Sequence, residues 1–226
     1  MKRFYKEVST TDAHGILLDG RPVKTPARAL LTLPNARLAK AVAAEWAAQG
    51  ENIRPQDMPF TGLANAAIDR VGPDHAAFAA GLAQYGETEL LCYRADAPPE
   101  LVARQAQRWD PLLAWAGTAY EVSFTLVTGI MHKPQPMATV MRLGDAVAAA
   151  PPFALAALSP IITIGGSLVL GLAVLDEAVL PEDAFALAHL DELWQVEQWG
   201  EDDLALAART VRRRDFLAAC EFLALL

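Results

Sequence analysis

Cysteine is almost absent from this chain of 226 residues: only Cys92 and Cys220 occur, each among apolar neighbours. Two thiols so placed read as small buried hydrophobes in a reducing compartment and exclude a disulfide framework. Basic charge is also scarce, with 19 Lys and Arg against 27 Asp and Glu and a formal net charge of −8. That deficit argues against a general nucleic-acid binder, which needs a cationic surface to neutralise phosphates. It also disfavours docking on an anionic membrane. The four histidines, His14, His75, His132 and His189, are scattered and carry no H-E-x-x-H or C-x-x-C partner. No metal is expected on that pattern. Phosphate-cradling loops are missing too, since Gly165-Gly166-Ser167 lies inside an apolar run and not after a strand. ATP use and a bound cofactor are therefore not expected. There is no G-x-S-x-G elbow, and neither cysteine has an activating electropositive setting. Asp191 and Glu192, adjacent on an expected helix, diverge by about 100° and cannot flank one substrate atom. The pattern points to a binder and not to an enzyme.

No apolar stretch follows the positive charges of Met1-Lys2-Arg3, and no long Arg- and Ser-rich leader is present. On that reading the chain is expected to be a cytoplasmic protein, or a mature form already trimmed. One long uncharged run exists, from Ala146 to Leu175, and Phe153–Leu175 has the length of a membrane span. Pro151-Pro152, Pro160 and Gly165-Gly166 interrupt it, and both flanks are acidic, without Lys or Arg to anchor an orientation. A buried helix, apolar all round, explains the run better than stable membrane insertion.

What is present is a globular composition, 53% hydrophobic and 20% charged. The first part reads as β-rich: strands at Phe4–Ser9, Ile16–Leu18, Arg21–Thr25 and Ala29–Leu33, with Asp19-Gly20 as a two-residue hairpin turn. A helix follows, with Leu38, Val42 and Trp46 at spacing four and Gly50 as its stop. Met58–Val71 is a second helix, and Gly72-Pro73 breaks the chain. Beyond it helices are expected at Asp74–Gly86, Pro98–Ala116, Pro136–Ala149, Pro152–Ala173, Pro181–Trp199 and Glu201–Leu225, several opening at proline. Val122–Ile130 is a candidate extended insert. The expected fold is α+β: a small sheet-plus-helix domain over residues 1–73 and a larger all-α bundle over 74–226.

Charge divides the same way. Residues 1–75 carry ten basic and eight acidic groups, net +2, and the remainder is net −10. The stretch 176–203 holds ten acids and no base, a negative face available to a partner or simply solvated. Three constellations suit a binder. On the expected Pro181 helix, Phe185, Glu192, Val196 and Trp199 share one stripe, so Glu192 sits among apolar neighbours and needs a cation. That cation belongs either to this chain (Arg94, Arg104 or Arg108, for instance) or to a partner. Thr61, Asn65 and Asp69 form a polar stripe on the Met58 helix. Trp46, beside Glu45, reads as core joining the first domain's helix to its sheet.

Seven segments in order resemble a known family: Arg3–Lys6, Leu18–Pro26, Ala44–Gly50, Met58–Asn65, Thr88–Ala95, Trp109–Leu113 and Asp191–Asp202. Together they span nearly the whole chain and are similar to the assembly chaperones of the F-type ATP synthase catalytic head, also called assembly factor 2. The resemblance implies an ATP-independent chaperone that binds the free α subunit, prevents its aggregation and yields it to the β subunit. It implies a small α+β domain followed by a helical one. Eukaryotic members work in the mitochondrial matrix; this alanine-rich chain looks like a bacterial, cytoplasmic member, a monomer when free. The expected recognition face is Asp191, Glu192, Trp194, Gln195, Trp199 and Asp202, with Trp46 and Asn65 setting domain geometry. Competing readings are a small-molecule hydrolase using an acidic cleft near Asp191 and Glu192, and a membrane-associated helper using Phe153–Leu175.

Overall fold

The computed structural model describes residues 1–129 and 131–226. Ile130, the last residue of the expected insert at 122–130, lies outside them. The chain forms two compact units. The first comprises Met1–His75, Pro151–Ala157 and Ala218–Leu226; the second comprises Ala76–Ala150 and Leu158–Leu217. The first unit thus takes in two stretches that the sequence reading places in the helical bundle.

The first unit starts with an antiparallel meander of β1 (Val8–Thr10), β2 (Ile16–Leu18) and β3 (Arg21–Pro22), in the register Val8↔Leu18 and Leu18↔Arg21. Asp19 and Gly20 both take positive φ, 48° and 74°, the geometry that a two-residue hairpin needs to match strand twist. The strand expected at Ala29–Leu33 is reduced to isolated bridges, Lys24↔Leu30 and Gly15↔Thr32. A turn at Arg28, whose φ is 70°, leads into this segment, which still bonds to its neighbours through Leu31 N to Val23 O at 2.9 Å and Ile16 N to Leu31 O at 3.2 Å. Helix α1 (Ala36–Ala47) begins at Asn35, whose side-chain oxygen accepts from Leu38 N at 2.9 Å. The Asn35 amide also donates to Leu225 O at 2.9 Å and Leu226 O at 3.0 Å, tying down the C-terminal residues. Leu38 and Val42 are fully buried with Ile16, Leu31, Phe60, Ala157 and Phe222.

Helix α2 (Pro59–Ala66) continues into a π turn at Ala67–Val71. Its first turn is held by Glu45 of α1, whose carboxylate accepts from Phe60 N at 2.6 Å and from Thr61 N and Oγ1 at 2.7 Å each. An acidic group from a neighbouring helix thus satisfies amides that α2 cannot satisfy itself. Burial raises the Glu45 pKa more than these bonds lower it.

The second unit contains α3 (His75–Ala83) apart from its opening residue His75, then α4 (Pro99–Ala119), α5 (Met137–Ala148) and the larger part of α6 (Pro152–Gly165). It continues with α7 (Leu168–Leu175), α8 (Pro181–Ala188), α9 (Leu190–Trp199) and most of α10 (Asp203–Ala224). Strands β4 (Tyr93–Arg94) and β5 (Val127–Thr128) pair in parallel, so part of the expected insert is indeed extended. The long apolar run is two helices and not one. Gly166 takes φ 64°, and Ser167 caps α7 through Leu170 N at 2.9 Å. Buried Glu89 completes the cap, accepting from Ser167 Oγ, from Leu168 N at 2.9 Å and from Val169 N at 3.1 Å. No helix among the described residues is long and apolar enough to cross a membrane.

Candidate functional site

The expected continuous helix from Pro181 to Trp199 is broken at His189, whose φ of −110° and ψ of 22° end α8 and start α9. Phe185 is therefore buried in α8, its ring stacked on His189 at 4.0 Å, and does not extend a stripe with Glu192 and Trp199. Within α9 the remaining members, Glu192, Val196 and Trp199, keep the helical spacing of four and three.

The six expected recognition residues meet quite different surroundings. Asp191 is half-buried and accepts from Gln105 Nε2 at 2.8 Å. Glu192 is half-buried and spans two arginines of α10, accepting from Arg209 at 3.2 Å and Arg212 at 2.8 Å. Its cation is thus inside the chain, but on α10 and not among Arg94, Arg104 and Arg108. Arg209 also pairs with Glu201, so one nearly buried guanidinium joins α9, the connecting turn and α10. Trp194 is only 9% exposed, with the Arg104 guanidinium 4.5 Å above its ring. That same Arg104 forks onto Glu197 at 2.7 and 2.8 Å. Gln195 faces solvent. Asp202 is exposed and caps α10 by accepting from Ala205 N at 2.8 Å. Trp199 is 79% exposed at the C-terminal end of α9, where Gly200 turns the chain with φ 87°.

The uncovered surface continues into α10. Every residue from Glu201 to Ala208 is exposed, including Leu204 at 82%, and Val211 one helical turn further on is also exposed. Beside this end lie two grooves. One, about 340 Å³, is lined by Arg104, Arg108, Leu187, Leu190, Leu193 and Glu197. The other, about 280 Å³, is lined by Phe185, Leu193, Leu206, Arg209 and Arg213. Charge here is mixed and not simply negative, because arginines of α4 and α10 meet Glu192, Glu197 and Glu201. Sequence reasoning missed both the apolar start of α10 and the arginines that neutralise α9. The run Arg212-Arg213-Arg214 behind Arg209, close in the chain to ten acids, was the available signal.

In the first unit, Trp46 is half-buried and packs against both apolar clusters there, with the Tyr5 ring 5.8 Å away and Tyr5 donating to Trp46 O at 2.7 Å. The polar stripe of the Met58 helix is largely committed. Thr61 serves Glu45, and Asp69 accepts from Thr25 Oγ1 at 2.6 Å and Ala27 N at 2.9 Å. Asn65 Oδ1 is buried without a hydrogen-bond partner among the described residues.

Residues 2–117 match the family model described as ATP12 chaperone protein. The chain belongs to the ATP12 chaperone family. A crystal structure of Atp12 from Paracoccus denitrificans superposes with a TM-score of 0.93 at 40% identity, covering 99% of this chain and 97% of that one. A point mutant of the same Paracoccus protein gives a TM-score of 0.93 at 41% identity, with the same coverage. The mitochondrial protein atp12 of Schizosaccharomyces pombe is 26% identical over 215 residues, covering 88% of this chain and 74% of the relative. Family membership accords with the α+β architecture of a small sheet-bearing part and a larger helical part. The surface at α9 and α10 lies beyond the segment that the family model matches.

Proposed function

We propose that this chain is an ATP-independent assembly chaperone: it binds the free α subunit of the F-type ATP synthase catalytic head, prevents its aggregation and releases it to the β subunit. No reaction takes place, and the chaperone works as a cytoplasmic monomer in a bacterial cell. The observation that carries the reading is the uncovered apolar end of the α9–α10 pair, Trp199 with Leu204 and Val211, on a member of a chaperone family. A subunit awaiting its neighbour exposes a partly apolar interface that aggregates unless covered. Exposed aromatic and aliphatic groups ringed by exchangeable ion pairs suit a contact that must form readily and still be displaced. Of the recognition residues, Trp199 and Gln195 make the contact, while Asp191, Glu192, Trp194 and Asp202 hold the presenting helices in place. Trp46 and Asn65 support the first unit.

A hydrolase acting at Asp191 and Glu192 is disfavoured by geometry: the two carboxylates turn to separate partners, Gln105 on one side and Arg209 with Arg212 on the other. The test is a mixture of purified chain and free α subunit, followed by light scattering and size exclusion. A soluble complex that dissolves on adding β subunit is the expected result. Unchanged aggregation of the α subunit at excess chaperone would overturn the reading.

A further inference from the structure

The first unit holds a groove of about 780 Å³, within the range of roughly 300–1,000 Å³ that ligand sites occupy. Its walls are Phe4, Tyr5, Leu18, Val23 and Trp46, the side chains of the Arg3–Lys6, Leu18–Pro26 and Ala44–Gly50 segments for which the α9–α10 contact has no use. Three features define what fits it. Phe4 is 66% exposed, so an aromatic ring stands in water at the mouth of an apolar cleft. Trp46 presents an indole N–H that is shielded from solvent and donates to nothing among the described residues. A buried donor left unpaired is costly, and an incoming acceptor relieves that cost.

The rim is cationic. Arg21 and Lys24 line the groove and are exposed, and their side chains form no hydrogen bond or ion pair among the described residues. Arg3 lies 4.7 Å over the Tyr5 ring, with its donors spent on carbonyls such as Tyr5 O, so its charge also remains uncompensated. The one acid of the lining, Asp19, is committed, accepting from Lys6 N at 3.0 Å and Glu7 N at 2.8 Å. Two side-chain cations of the lining therefore stand beside one anion that backbone amides already engage, with Arg3 close by over Tyr5.

We propose that this groove is a second binding site of the chaperone, taking an extended acidic peptide segment of a client protein. An apolar side chain of the segment fills the cleft between Phe4 and Trp46. A flanking carboxylate meets Arg21 and Lys24, and a backbone carbonyl is the acceptor for the Trp46 indole. The proposal rests on the chaperone reading only for the client being a protein; the site itself is independent of the α9–α10 surface. Opposite charge at such a rim speeds encounter and makes binding salt-sensitive.

The probe is a blocked hexapeptide with a central leucine flanked by aspartates, beside a twin carrying lysines at the aspartate positions. Full-length protein is titrated while the indole N–H signals are followed by NMR, with Trp46→Phe identifying the relevant one. The expected result is a saturable shift of the Trp46 signal with the acidic peptide only, weakened at least about fivefold in Arg21→Glu/Lys24→Glu or in high salt. Both charge reversals lie on exposed side chains, and an unchanged melting point shows that the fold survives. No saturable shift, or an equal shift with the lysine twin, overturns the proposal. Failure to protect free α subunit alongside normal peptide binding would refute the client assignment and leave the groove standing.

Discussion

Glu89 shows how one residue can hold an element and set a pH dependence. Its carboxylate, fully buried, accepts from Ser167 Oγ and from the amides of Leu168, Val169 and Leu91. Burial nevertheless pushes its pKa up to about 6 from 4.5, outweighing those hydrogen bonds. The folded state therefore holds this proton more tightly than the unfolded chain does. The resulting stability is complete below pH 4.5 and is lost as pH rises through about 6, and 1.5 units correspond to about 2 kcal/mol. Denaturant melts of the wild type and Glu89→Gln at pH 4.5 and 7 should differ by about that amount in their pH response. Parallel pH responses would contradict it. Glu45 makes the companion case: Glu45→Ala strands the amides of Phe60 and Thr61 and should cost about 2–3 kcal/mol in a thermal or denaturant melt. A cost under half a kcal/mol would show that water takes its place.

At the scale of elements, the α9–α10 pair is held by ions and not by its exposed apolar groups. Arg209 links Glu192 and Glu201, and Arg212 shares Glu192. Glu192→Lys sets a third cation against those two and should lower the melting midpoint by several degrees, whereas Glu192→Gln, which can still accept one bond, should lower it less. Midpoints unchanged from the wild type in both variants would mean that the ion network contributes nothing. Gly171 in α7 offers a second check. A Cβ there would fall on Ile162 Cγ1 well inside van der Waals contact, so Gly171→Ala should cost about 1–3 kcal/mol by overpacking. The sequence made the hairpin at Asp19-Gly20 and the helix starts at prolines legible, because turn and cap chemistry are local. Gly165-Gly166 was legible as an interruption of the apolar run, yet one helix was still expected over Pro152–Ala173, because the cap that starts a second helix is completed by Glu89, 78 residues from Ser167. The break at His189 was hidden as well, because periodicity runs through it. Helical spacing placed Trp199 on one stripe with Glu192 and Val196 but said nothing of its exposure, and the burial of Trp194 under Arg104 was hidden too. That depends on α4, a contact across the fold that spacing within one helix cannot show.

At the scale of the whole molecule, the proposed function gives presentation and contact to different residues. Internal ion pairs, caps and buried rings hold α9 and α10, and Trp199 and Leu204 stay exposed, the surface that the proposed function gives to a client. Substituting that surface should therefore leave the fold intact while removing function, the reverse of what Glu192→Lys does. The most direct measurement is protection of free α subunit from aggregation by the wild type and by Trp199→Ala/Leu204→Ser at equal concentration, each first checked for an unchanged melting midpoint. The account predicts protection by the wild type and loss of most of it in the double variant. Full protection by a normally folded double variant would contradict it.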